Sequence, residues 1–379
     1  MDSEGQILGK KIVITTVVLC IFGLIMVFDA SMGLIAQKYH YIGLQSVWMI
    51  LGSISAFILY KFDYRKLKKY AFWFLMLVVI GLLVVIVFSS KINGSQRWIN
   101  LGFTSFQPSE FAKLFFIIYI SAWLTKYYQK KKESVTNFSS NLKQFLIPYL
   151  LITSLVAGLI IIEKDMGTTI VVLLIALFIL IINDNKKYLF YNLGIISIFY
   201  GILGVIFILI EPYRIERILT YLHLSKSTNT NLSTGYQVHQ ILIAIGSGGI
   251  TGVGFTQSIQ KNQYLVGTTA ITDSIFAVIA EELGLIGAVI LIAIFLYLVY
   301  LILKVAINTK DTFGKFLAVG IAAWIGIQTF INIAANIGII PLTGVPLPLI
   351  SYGGSSVITI LAGIGIILSI NRINNKHEK

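Results

Sequence analysis

The chain has 379 residues, 57% of them hydrophobic and only 12% charged, with a mean hydropathy of +0.87. This composition excludes a soluble globular protein and points to one that lives in a lipid bilayer. The net charge of +13 is scattered over many loops, so it reflects topology and contact with anionic membrane lipids; no nucleic-acid partner is expected.

Ten apolar runs are long enough to span a bilayer, at about 11–29, 42–60, 70–88, 109–126, 145–162, 167–183, 188–210, 274–303, 315–338 and 349–371. They predict an all-α, polytopic membrane protein of about ten transmembrane helices, forming a single domain over residues 1–379. The first run is expected to stay as an anchored helix, because Asp2 and Glu4 precede it and no small-x-small cleavage site closes it. With the N-terminus inside, 20 of the 29 basic residues fall on cytoplasmic segments and helix ends, among them Lys10, Lys61, Arg65, Lys69, Lys187, Lys310 and Arg372. That asymmetry predicts cytoplasmic termini at both ends. The lone cysteine, Cys20, excludes an intrachain disulfide, and four scattered histidines show no metal-ligand spacing.

An ionisable group at membrane depth costs about 2.5–3.5 kcal/mol on insertion scales and is a functional suspect by default. In chain order the first such group is Asp29, at the outer end of the first run. Between the third and fourth runs lie Asn93-Gly94-Ser95-Gln96-Arg97-Trp98-Ile99 and Gln107-Pro108-Ser109-Glu110-Phe111-Ala112-Lys113. Arg97 is suited to clamping a phosphate, and Trp98 either to stacking on a sugar or to interfacial anchoring. Pro108 marks a helix start, and Glu110 and Lys113, three apart, share a face as an intrahelical ion pair would. Glu163-Lys164-Asp165-Met166-Gly167-Thr168-Thr169 is either a plain helix cap or a further carboxylate for the outer cavity.

A long extracellular loop, residues 211–273, separates the seventh and eighth helices, and loops of that length are usually functional. Glu211-Pro212-Tyr213-Arg214 opens it and a polar tract over 225–234 follows. An apolar stretch after Gly235-Tyr236-Gln237 is too short to span, and the glycines at 246–254 favour close packing over a phosphate nest. Asp273 stands where the loop meets the eighth helix. It is either an N-cap or a general base at the membrane–water boundary. On a regular helix Glu281 lies roughly 80° around and 12 Å below it, with Glu282 on the opposite side. Neither can form a close dyad with Asp273, so bonding to neighbouring helices or to a buried cation is the expected role of at least one. Gln328, Asn332 and Asn336 form one polar stripe, the pattern of interhelical glue. Finally Pro346-Leu347-Pro348-Leu349-Ile350-Ser351-Tyr352-Gly353-Gly354-Ser355-Ser356 cannot continue a helix. At membrane depth such a segment must be satisfied by protein or a wet cavity, so it belongs to a built site.

These pieces together resemble the SEDS proteins (shape, elongation, division and sporulation), the FtsW/RodA group, more FtsW than RodA. The resemblance is carried by residues 94–99, 107–113, 165–168, 235–237, 243–249, 273–278, 281–284 and 346–356, in the family's order. It implies a peptidoglycan glycosyltransferase that polymerises lipid II at the outer side of a bacterial cytoplasmic membrane, multi-pass, with a class B penicillin-binding protein as transpeptidase partner. It further implies Asp273 as the catalytic residue. Arg97, Trp98, Glu110, Lys113, Asp165, Gln237, Glu281 and Ser351 are the implied substrate-binding residues. Arg97 and Lys113 would meet the leaving group, and Glu110 would orient Lys113 or help hold a divalent cation, the one cofactor left open. Two departures stand out. The Pro-Glu common before the catalytic aspartate is absent from residues 265–272, and Lys164 replaces the proline usual before Asp165. The competing readings are a lipid II flippase, which would need charges along a path to the cytoplasmic side, and a non-catalytic scaffold.

Overall fold

A computed structural model describes residues 4–33, 38–89, 97–100, 102, 105–130, 141–181, 189–210, 215, 221, 233–263 and 267–376. The chain is built from α1 (Glu4–Ala30), α2 (Lys38–Lys61), α3 (Leu67–Phe88), α4 (Pro108–Lys130), α5 (Ile147–Ile162), α6 (Met166–Ile181) and α7 (Leu189–Ile210). It continues with α8 (Ser233–Gly248), α9 (Ile259–Gln263), α10 (Ile275–Asn308), α11 (Thr312–Asn336) and α12 (Gly354–Lys376). A two-residue hairpin, β1 (Ile99–Asn100) against β2 (Ser105–Phe106), leads into α4.

All ten apolar runs are helical over most of their length. Among the described residues, eight helices are long and apolar enough to cross a membrane; α4, which carries the buried Glu110 and Lys113, and the 16-residue α6 fall outside that group. The chain is a multi-pass helical membrane protein. The largest shortfall of helix against expectation is at the start of the last run. The last run is expected from 349, but residues 349–353 are turn and bend and α12 begins at Gly354, because the two prolines and the left-handed Leu349 (φ 62°) cannot enter a helix.

Burial sorts the helices. α11 and α12 are enclosed almost all round, whereas α7 buries only Asn192 and Ile196 of its 22 residues. An all-apolar helix must face either core or lipid, and these take opposite solutions. The chain ends meet on one face: Asn371 Nδ2 donates to the Gly5 carbonyl (2.7 Å), Lys304 pairs with Glu4 (3.0 Å), and Arg372 donates to the Lys61 carbonyl (2.9 Å). That face holds the basic residues Lys10, Lys61 and Arg65, the cytoplasmic side by the charge rule.

α10 runs through 34 residues, from Ile275 to Asn308. It is broken. Gly284 sits at φ 65°, ψ −167°, and residues 249–254 fill the gap. Val253 N donates to the Glu281 carbonyl (3.0 Å) and Gly254 N to that of Glu282 (3.1 Å). Leu285 N and Ile286 N donate in turn to the carbonyls of Gly249 (2.9 Å) and Ile250 (3.2 Å). The backbone groups freed by the break thus find partners in the loop between α8 and α9, as burial requires. A Cβ on Gly284 would run into the Gly252 amide and the Ile250 carbonyl, and one on Gly252 into the Glu282 carbonyl. The glycine-rich stretch therefore serves close packing. Gly284→Ala combines a left-handed backbone with this collision and should cost about 2–4 kcal/mol, read as a lower thermal unfolding midpoint in detergent.

Of the loop expectations, residues 211–214, most of the polar tract at 225–234, and residues 93–96 and 264–266 lie outside the described residues.

Candidate active site

The segment between α11 and α12 is the hub. Ser351 Oγ accepts from the Leu347 amide (2.7 Å) and donates to the Thr272 carbonyl (2.6 Å), and Tyr352 N donates to the Ile271 carbonyl (2.8 Å). From α2, fully buried Gln45 donates to the Ser351 carbonyl (3.2 Å) and accepts from Gly353 N (3.3 Å). α1 approaches so closely at Gly23 that a Cβ there would strike the Leu349 carbonyl. The proline–glycine segment is thus satisfied by protein on several sides.

α11 holds this hub against Asp273. Asn332 Nδ2 donates to the carbonyls of Val345 (2.8 Å) and Asp273 (2.9 Å). Asn336 Nδ2 donates to the same Asp273 carbonyl (2.9 Å), and Gln328 Nε2 to that of Pro346 (3.0 Å). The polar stripe is interhelical glue at Gln328, which accepts from Lys113 of α4, and its amides otherwise bind loop carbonyls. Asn332→Ala would leave buried carbonyls short of donors and should cost about 2 kcal/mol, measurable by thermal unfolding of the purified protein.

Asp273 itself is half-buried in the turn before α10. The helix N-cap is Ser274, without a side-chain cap bond, so the capping alternative for Asp273 does not hold. Thr272 Oγ1 donates to Asp273 Oδ1 (3.1 Å), and Gln237 Nε2 from α8 reaches Ser274 Oγ (3.3 Å). The carboxylate stands on a peptide braced by α8, α11 and the hub.

A second corner is tied to the first turn of α12, next to the hub, by Gln107 N, which donates to Ser355 Oγ (3.0 Å). Here Asp165 caps α6, accepting from Thr168 N (3.1 Å), Thr168 Oγ1 (3.0 Å) and Gln107 Nε2 (3.3 Å). Arg97 lies 4.0 Å from Asp165 Oδ1 and donates to the Lys164 carbonyl, on a residue that is left-handed at φ 64°. Trp98, next along, is half-buried. Of the alternatives for the Asp165 segment, the helix cap is met, and the capping carboxylate also faces the Arg97 guanidinium.

Glu110 and Lys113 do form the expected intrahelical pair (2.7 Å), but it is enclosed. Lys113 also donates to Gln328 Oε1 (2.8 Å), which accepts from Trp324 Nε1 (2.7 Å), and its Nζ lies 5.5 Å from the Trp324 ring centre. Its charge is turned inward. Of the two cations expected to meet a leaving group, Arg97, 21% exposed at its side chain, is the one facing outward. Glu110 Oε2 has no partner among the described residues, yet one carboxylate beside an ammonium is a poor donor set for a divalent ion, and no cluster of three or more His, Cys, Asp or Glu occurs among the described residues.

The structural role expected of at least one of Glu281 and Glu282 is taken by both, so Glu281, also named among the implied substrate-binding residues, is turned to α9 instead. Glu281 accepts from Ser258 Oγ (2.5 Å) and from the amides of Ile259 (3.1 Å) and Gln260 (3.4 Å), so it caps α9. Glu282 accepts from Thr256 N (3.1 Å), Ser258 N (3.2 Å) and Lys261 Nζ (2.5 Å). Lys261 also binds both oxygens of Asp29 (2.6 and 2.7 Å), and all three charged side chains are fully buried. Sequence reasoning misses this bond from α1 through α9 to α10. Its one signal is a lysine among the nine basic residues outside the cytoplasmic set. Gln45 is also missed as a member of the site.

The family model described as cell cycle protein, for FtsW, RodA and SpoVE, matches residues 10–376. The chain is 36% identical over 375 residues to a probable peptidoglycan glycosyltransferase FtsW of Nitrosomonas europaea, covering 96% of this chain and 92% of that one. It is 35% identical over 369 residues to stage V sporulation protein E of Bacillus subtilis, covering 95% and 96%. A solved chain from a peptidoglycan synthase complex that coordinates polymerization and crosslinking superposes with a TM-score of 0.76 at 26% identity, over 96% of this chain and 97% of that chain. The rod shape determining protein RodA of Thermus thermophilus shares the fold, with a TM-score of 0.66 at 24% identity over 95% of each chain.

Proposed function

The chain belongs to the FtsW, RodA and SpoVE family of cell cycle proteins, and on that premise we propose how its residues divide the work of a peptidoglycan glycosyltransferase. The enzyme is FtsW-like and makes glycan strands. Its donor and acceptor are lipid II, presented at the outer side of the bacterial cytoplasmic membrane.

Asp273 is the general base. It takes the proton from an acceptor sugar hydroxyl as that oxygen attacks the donor anomeric carbon, and the lipid diphosphate departs with inversion. The supporting observation is the mounting of Asp273: a half-buried carboxylate whose peptide is held by Asn332, Asn336 and, through Thr272, Ser351. Such bracing keeps a base in register with its substrate. Arg97 meets the developing charge on the diphosphate, positioned by Asp165 and the Lys164 carbonyl. Trp98 packs beside the sugar or lipid headgroup. Gln237 and Ser351 hold the turn around Asp273, and Glu281 holds α9 beneath it. Glu110 sets Lys113 against Gln328 and so supports the hub from within.

A class B penicillin-binding protein is the proposed partner, supplying the crosslinking step. Purified lipid II offered to the wild type and to an Asp273 variant, each alone and with candidate transpeptidases, tests the assignment. A folded wild-type protein that makes no glycan under any of these conditions would defeat it.

A further inference from the structure

Glu163 closes α5 immediately before the corner that carries Arg97 and Asp165, and it takes no part in the chemistry assigned to that corner. Its side chain is fully buried, and neither carboxylate oxygen has a hydrogen-bond partner among the described residues. The Nε of Arg97 is also buried and without a partner there. Among the described residues, the charged groups that act on Glu163 are Asp165, at the head of α6, and Arg97, from the segment before β1; Lys164, next in the chain, is exposed.

We propose that Glu163 is a positioning residue for Arg97: as an uncharged acid it leaves the guanidinium on Asp165 and the Lys164 carbonyl, facing the substrate diphosphate, and once ionised it draws Arg97 inward. The inference rests on the assignment of Arg97 to the diphosphate. An ionised carboxylate buried without donors is costly, so the acid form persists unless a cation turns to meet it. Burial, with Asp165 close by, pushes the Glu163 carboxyl up from 4.5 to about 9, Arg97 pulling the other way. The neutral acid also leaves the corner with one more positive charge than an ionised Glu163 would, which favours an anion.

Lipid II carries a diphosphate diester that does not titrate between about pH 7 and 10, so the difference between wild-type and Glu163→Gln KM for lipid II against pH reads the switch. With the full-length protein and its transpeptidase, wild-type KM should stay level to about pH 8. It should rise about tenfold by about pH 10, as the competent fraction falls, with kcat changing far less. Glu163→Gln, which cannot ionise, should match wild-type KM at about pH 7.5 and remain flat to about pH 10. Arg97→Gln should raise KM at every pH and erase the alkaline rise. Superimposed KM curves for wild type and Glu163→Gln overturn the proposal. If Glu163→Gln does not fold, a wild-type KM that stays flat over the whole range overturns it equally. Absence of polymer at every pH, wild type included, overturns the polymerase assignment itself and this inference with it.

Discussion

Asp273→Asn should lower lipid II polymerisation by about 10²–10⁴-fold, the usual contribution of a positioned general base, while leaving the fold intact. Asparagine keeps the shape and a hydrogen-bonding oxygen for Thr272 Oγ1, and the Asn332 and Asn336 bonds go to the Asp273 backbone carbonyl, which the substitution does not touch. The variant should therefore elute as wild type on size exclusion and unfold at nearly the same temperature. Loss of polymer together with loss of folded protein would point instead to a structural role, and wild-type polymer yield would remove Asp273 from the chemistry.

Lys261→Met should be the most destabilising single change outside the active site. It would leave Asp29 and Glu282, both fully buried, facing each other with no cation between them. Breaking a buried pair in this way costs about 3–5 kcal/mol, because the remaining charge stays uncompensated. Here two carboxylates are stranded. The sharper comparison is the triple variant Asp29→Asn, Lys261→Met, Glu282→Gln, which removes every charge at once. It should recover most of the lost thermal stability, since well-packed neutral replacements of a buried ion pair are often close to neutral. A triple variant no more stable than Lys261→Met would mean that packing of the lysine stem, and not charge compensation, holds α9 between α1 and α10.

The two expectations differ in how visible they are in the sequence. Asp273 announces itself there as a carboxylate at the mouth of an apolar run, where insertion cost makes an ionisable residue suspect. The Asp29–Lys261–Glu282 bond does not, because its members lie 232 and 21 residues apart. Charge spacing along a helix reveals partners three or four apart and no others. Glu110 and Lys113 show the limits of even that rule. Their pairing follows from spacing, but enclosure by Gln328 and Trp324 comes from α11 packing on α4. The broken geometry of α10 is likewise illegible: Gly284 in an apolar stretch reads as a tolerated glycine, and only residues 249–254 filling the gap explain its left-handed backbone.

Apolar run length determined, from sequence alone, a multi-pass helical protein and where its helices lie to within a few residues, and lysine–arginine asymmetry set the expectation of which face is cytoplasmic. Those properties depend on each segment's own transfer into lipid, a local quantity. The order of the motifs likewise determined the family. What tertiary structure alone decided is which polar groups face outward and which are spent inside. It turned Lys113 inward and Arg97 outward, gave Ser274 rather than Asp273 the helix cap, and aimed the α11 amides at the carbonyls of Asp273, Val345 and Pro346. Most buried donors and acceptors find a partner, and for these groups the partner lies on another helix or loop, at a distance along the chain that sequence periodicity does not encode.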